Sequence, residues 1–188
     1  MSTRLIFTLC LLSFLLKDVS GQSNTTSENP NEQLAYLVGT WKLALEGFTA
    51  FMDFEWGPNR TYIFSRNRNI RDGVETIENS ALIAWDGVEE KFVISSVYND
   101  PGGLLVGRGF VEYKNGVIAR DIELHYAEGQ YAPFLKRTAP KGGLVMDYRQ
   151  RWTKVDESSF EGVFEVKVNG EWIAPFKSKG VELWVKVK

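Results

Sequence analysis

The side chains able to do chemistry are few. His125 is the only histidine and Cys10 the only cysteine in the 188 residues, and Cys10 lies in an apolar N-terminal run, Leu5 to Leu16. A Ser-His-Asp triad would have to use His125, and no Gly-x-Ser-x-Gly elbow accompanies it. Zinc lacks its usual ligands, and beyond Cys10 there is no thiol for nucleophilic or redox work. Gly107-Arg108-Gly109 lacks a third glycine and sits in an alternating stretch, so it is not a phosphate loop. Asp53/Glu55 and Asp121/Glu123 each place two carboxylates on one strand face. Such pairs could exchange protons, but each lies opposite an apolar face, so solvated surface is the expectation. These residues argue against an enzyme, a metal site and a cofactor.

A second polar set faces the other way. In the segment 116–126, Ile118, Ile122, Leu124 and Tyr126 share one face, and Arg120 shares it with them. In 144–155 the corresponding face carries Met146, Tyr148, Gln150 and Trp152; in 90–98 it carries Phe92, Ile94, Ser96 and Tyr98. An arginine among apolar neighbours must be paired, because an isolated buried charge is very costly. A ligand carboxylate held in a bidentate fork would serve. An internal ion pair, or stacking on a tryptophan, would serve equally. The candidate binding set is therefore Arg120, Tyr126, Tyr148, Gln150 and Tyr98, for a lipophilic molecule whose carboxylate meets Arg120.

These residues need strands to position them, and from Thr40 onward the hydrophobic period is two. The expected strands are 40–46, 50–56, 60–66, 74–85, 90–98, 103–113, 116–126, 144–155, 158–168, 171–175 and 180–187. Asp72-Gly73, Asp86-Gly87, Asn115-Gly116 and Asn169-Gly170 read as two-residue hairpin turns. Gly57-Pro58-Asn59 and Asn99 to Gly103 punctuate the remainder. Short strands at tight spacing indicate an all-β, antiparallel up-and-down barrel of roughly ten strands. Closure is favoured over an open sandwich because Val181 to Lys188 would otherwise be a long, sticky edge, which pairing with Thr40–Leu45 removes. One long connection, Ala127 to Gly143, carries Tyr131, Phe134 and Leu135, which could cover a barrel mouth or pin a surface excursion.

The N-terminus reads as a secretory signal: Arg4, the apolar run, then Val19-Ser20-Gly21 at the cleavage position. The expected organisation is a signal peptide over 1–21, a flexible polar leader over 22–33, and one barrel domain over 34–188, exported to an extracellular or periplasmic space. Asn29 as N-cap, Pro30 and Glu32 as a capping-box partner predict a short helix leading to Gly39. The formal net charge is −2, or about −3 without residues 1–21, which hold Arg4 and Lys17 against Asp18. So weak a field favours neither nucleic acid nor an anionic membrane as partner of the mature chain. It leaves the oligomeric state open. Two glycosylation sequons occur, at Asn24 and Asn59.

Leu37-Val38-Gly39-Thr40-Trp41, after a short helix and before an all-strand meander, resembles the start of the calycin superfamily, and within it the lipocalin-like exported proteins. The resemblance covers about residues 34–188. It implies an up-and-down barrel in which Trp41 closes one end, Gly39 permits the turn into the first strand, and the interior holds a small lipophilic molecule. Three features depart from the lipocalin pattern: disulfides are absent, the second motif is only echoed by Met146-Asp147-Tyr148, and Lys186 and Lys188 stand where an arginine would lie over Trp41. The nitrobindins also open with Gly-x-Trp and bind haem through a histidine; alternation instead puts His125 on the outer face with Asp121 and Glu123. The first expectation is a secreted carrier, the second a barrel filled by its own side chains and serving as a structural or interaction module. An exported enzyme ranks third.

Overall fold

The computed structural model of the chain describes residues 29–100, 103–175 and 182–187. The expected signal segment, most of the leader, and Pro101-Gly102 of one turn lie outside these residues, as do the first two positions expected in the last strand.

A 3₁₀ helix, Pro30–Leu37, comes first. Asn29 caps it, its side chain accepting from the Asn31 N–H at 3.1 Å. Glu32 does not close a capping box: its carboxylate takes Arg60 Nη1 at 2.8 Å instead, tying the helix to the β2–β3 turn described below. The strands that follow are β1 (Gly39–Leu45), β2 (Phe48–Trp56), β3 (Tyr62–Arg71), β4 (Val74–Asp86), β5 (Lys91–Asp100), β6 (Gly103–Lys114) and β7 (Val117–Tyr126). After them come β8 (Tyr131–Ala132), β9 (Arg137–Thr138), β10 (Leu144–Asp156), β11 (Ser159–Val168), β12 (Glu171–Ile173) and β13 (Glu182–Lys186).

Every pairing is antiparallel. The order β10-β7-β6-β5-β4-β3-β2-β1-β13-β11, with β11 pairing back to β10, closes a ten-stranded barrel. The seam is the one expected: β13 lies on β1 with Trp41 opposite Lys186 and Lys42 opposite Val185. β12 extends β11 outside the ring, Trp172 opposite Lys167.

The turn chemistry explains the hairpins. Asp72, Asn115 and Asn169 sit at φ 50–52°, each followed by a glycine with positive φ, as a two-residue turn of that hand requires. Asp86-Gly87 departs from this expectation. β4 ends at Asp86, paired with Lys91, and a four-residue loop joins them. The Asp86 carboxylate organises that loop by accepting the N–H groups of Val88 (2.8 Å) and Glu89 (3.1 Å). β3 also runs past its expected end at residue 66, because a bulge at Asn67/Arg68 lets a polar stretch keep pairing with β4.

The barrel has a filled half and a hollow half. The helix seals the filled end with Leu34 and Leu37, both buried. Trp41 is fully buried behind them, and its indole N–H donates to the Leu37 carbonyl at 2.7 Å. Gly39, at φ 131°, makes the sharp passage from helix to strand that a Cβ would strain. Aromatic rings then stack inward: Trp41 on Phe160 at 4.7 Å, Phe160 on Trp152 at 5.5 Å, Trp152 on Phe54 at 5.8 Å. Lys186 lies 5.1 Å over the Trp41 ring and donates from its ammonium to the Tyr36 carbonyl at 3.2 Å.

Candidate functional site

The hollow half opens at the end away from the helix. There all ten strands of the ring contribute side chains to a cavity of about 350 Å³. That is within the usual size of a small-molecule site. Its apolar wall comes from Leu43, Ala50, Leu105, Leu124, Phe48 and Phe164. Pro133 and Phe134, from the long connection, stand at its edge.

That connection is folded, not a bare loop. β8 and β9 form a small hairpin, Tyr131 opposite Thr138, and the Ala139 N–H donates to the Gln130 carbonyl at 2.7 Å. Phe134 packs on Phe164 at 5.5 Å and faces the mouth, while Leu135 is half-buried. Tyr131 takes no part in covering it and is 50% exposed.

Four of the five expected binding residues line the cavity: Tyr98, Tyr126, Tyr148 and Gln150. Tyr98 and Tyr148 meet edge to face with ring centroids 6.3 Å apart. Burial pushes the Tyr148 hydroxyl well above the usual phenol range; Tyr98 and Glu182 add to the shift, and Arg120 opposes it.

Arg120 is the correction. It is buried and inward, as alternation requires, yet it is not part of the cavity lining. β10 pairs Gln150 directly opposite it, and Arg120 Nη1 donates to Gln150 Oε1 at 2.9 Å. Its guanidinium lies 4.9 Å over the Trp152 ring, so the stacking alternative is realised. Its Nε is buried without a hydrogen-bond partner. The side chain turns toward the filled half because the tryptophan face is there, leaving Gln150 to meet the cavity.

Among the lining residues that sequence reasoning did not single out, two polar ones stand out, Glu182 and Asn79. Glu182 enters from β13, and burial raises its carboxyl above the ordinary value, offset in part by a hydrogen bond with Trp184. β13 places Trp184 inward and turns Leu183, Val185 and Val187 outward, where each is 43–50% exposed. The signal was the parity of Trp184, which carries Glu182 and Lys186 to the inner face against the aliphatic majority. Asn79, on β4, also lines the cavity, and its Oδ1 is buried without a partner. Among the described residues, the lining contains no lysine, arginine or histidine.

The remaining titratable pairs lie outside. His125 is on the outer face, 3.8 Å from the Glu123 carboxylate. Asp121 faces Arg151 at 3.7 Å. Burial works to raise the Asp53 carboxyl, but hydrogen bonds from Arg68 Nε (2.8 Å) and Thr40 Oγ1 (2.9 Å) hold it below its usual range. Gly107-Arg108-Gly109 lies within β6, as its alternation indicated.

No protein-family model matches the chain, and no curated protein matches it.

Proposed function

We propose that this chain is a lipocalin-like binding protein and that the open half of its barrel carries a small lipophilic molecule. The observation that supports the reading is the division of the interior: one half is packed by an aromatic stack, and the other keeps about 350 Å³ walled by leucines and aromatic rings. Such a cavity stays open only if its walls hold it so, since cores otherwise pack to high density. The Gly39–Trp41 start and the closing cation over Trp41 agree with a calycin relationship.

The same reading takes the protein as exported, non-enzymatic, and without nucleic acid or membrane as a partner of the mature form. Sequencing the N-terminus of exported protein should find Gln22 or a neighbour; recovery of Met1 would refute cleavage of the signal segment.

Binding is tested with N-phenyl-1-naphthylamine, a neutral lipophilic fluorophore. Wild-type protein should enhance its emission with one-to-one stoichiometry. The filled-barrel reading draws on the stack of Trp41, Phe160, Trp152 and Phe54. It takes over if no probe binds and native mass spectrometry finds no retained small molecule.

A further inference from the structure

The carrier reading leaves the ligand's polar group open, and the cavity lining speaks to it. Three kinds of group meet there. The first is a carboxylate, Glu182, in a wall that combines leucines and aromatic rings with the uncharged amides of Asn67, Asn69, Asn79, Asn99 and Gln150. The second is the Asn79 carbonyl oxygen, buried and without a donor, an acceptor that costs free energy until something donates to it. The third is a set of aromatic rings, Tyr98, Tyr126, Tyr148, Phe48, Phe164 and Trp184, whose faces carry partial negative charge. Glu78, at the bulge of β4, adds a second carboxylate at the rim.

Among the described residues, no cationic side chain lines the same surface. Arg120, the inward arginine of β7, is not in the lining: its Nη1 donates to the Gln150 amide oxygen and its planar face lies on Trp152. A ligand carboxylate entering the cavity would meet Glu182 before it met a cation, and like charges in a dry site repel. A positively charged ligand would find a counter-charge, an unused acceptor and aromatic faces together.

We infer that the cavity selects a lipophilic amine in its protonated form, with the ammonium held by Glu182 and Asn79 among the aromatic rings and the apolar tail against Leu43, Leu105 and Leu124. This assignment rests on the carrier reading and goes beyond it in naming the ligand class. A cavity of about 350 Å³ has the volume of about a dozen waters, which bounds the ligand to a short chain or a compact pair of ring systems.

Three probes of one chain length separate the possibilities: octylammonium, octanol and octanoate, titrated calorimetrically at pH 7, where a primary ammonium is fully charged. Octylammonium should bind the wild type at least about tenfold more tightly than either of the others. Glu182→Gln should remove that advantage while leaving octanol unchanged. The wild-type ranking needs no variant, so a folding defect in Glu182→Gln would not obscure it. Equal affinities for octylammonium and octanol would overturn charge selection while the carrier reading stood. Tighter binding of octanoate, lost in Arg120→Met, would overturn it in favour of a carboxylate pocket. Failure of all three probes, together with the neutral fluorophore, would remove the carrier reading and this assignment with it.

Discussion

Arg120 illustrates how a buried charge can be held without an opposite charge beside it. Its stabilisation comes from one hydrogen bond to Gln150 Oε1 and from the Trp152 face, with Nε left unpartnered. Arg120→Met keeps the aliphatic volume but orphans the Gln150 oxygen, so we expect a loss of about 1–3 kcal/mol in urea unfolding. Adding Gln150→Leu removes the orphan, and the double variant should recover most of that loss; simple additivity of two losses would contradict the pairing. Glu182 supplies a second residue-scale prediction, with the sign set by its raised carboxyl. Because the folded state holds the proton more tightly than the unfolded chain, the group's contribution is fully present below the unfolded value. It is lost as pH rises through the folded one. Glu182 shares the cavity with Glu78 on β4, Tyr98 on β5 and Tyr148 on β10, and it bonds with Trp184 on its own strand. Without ligand, Glu182→Gln should therefore be more stable than wild type at pH 8, and the difference should vanish near pH 4, followed by urea midpoint. A difference that grew toward acid would mean Glu182 is favourably paired.

At the scale of elements, β6 is bent onto its neighbours by two glycines. A Cβ at Gly109 would lie 1.9 Å from the Asp121 carbonyl oxygen, a backbone atom that cannot turn aside. At Gly107 it would lie 2.3 Å from Ser96 Oγ and 3.0 Å from Tyr98 and Ile122 side-chain atoms. Gly107→Ala should cost about 1–3 kcal/mol by overpacking, partly recovered by Ser96→Ala, and Gly109→Ala should cost more. Equal, small effects would mean β6 shifts freely. Its neighbour β7 shows what sequence could and could not convey. Alternation put Ile118, Arg120, Ile122, Leu124 and Tyr126 on one face correctly, because the turns that fix register are local. It could not tell that Arg120 turns from the cavity toward Trp152, since a rotamer choice depends on what the neighbouring strand presents. Nor did it extend β3 through Arg68 and Asn69, whose polar side chains serve ion pairing outside and the cavity rim inside. Asp86-Gly87 misled in the opposite sense, a two-residue signal overridden when the carboxylate capped a longer loop.

For the whole molecule, the barrel was legible from its tight turns and from the physical penalty of a bare edge, and β13 on β1 is that closure. The hollow half was not legible, because leucines and aromatic rings fill a core or line a cavity with the same residue types. Its carboxylate arrived on a strand whose aliphatic face is outside, against hydrophobic expectation. Closure predicts that a chain ending before Glu182 exposes the edges of β1 and β11, self-associates on size-exclusion chromatography and loses cooperative unfolding. A monomeric, cooperatively unfolding truncation would show that the seam contributes little. If the open half is a binding cavity, a substitution that fills it from the wall must block it. Ala50 lines the cavity opposite Leu43 across the β1–β2 pair. We predict that Ala50→Trp lowers N-phenyl-1-naphthylamine affinity at least about tenfold while the urea midpoint is held or raised. Undiminished affinity in a folded Ala50→Trp variant would place binding elsewhere and contradict the account.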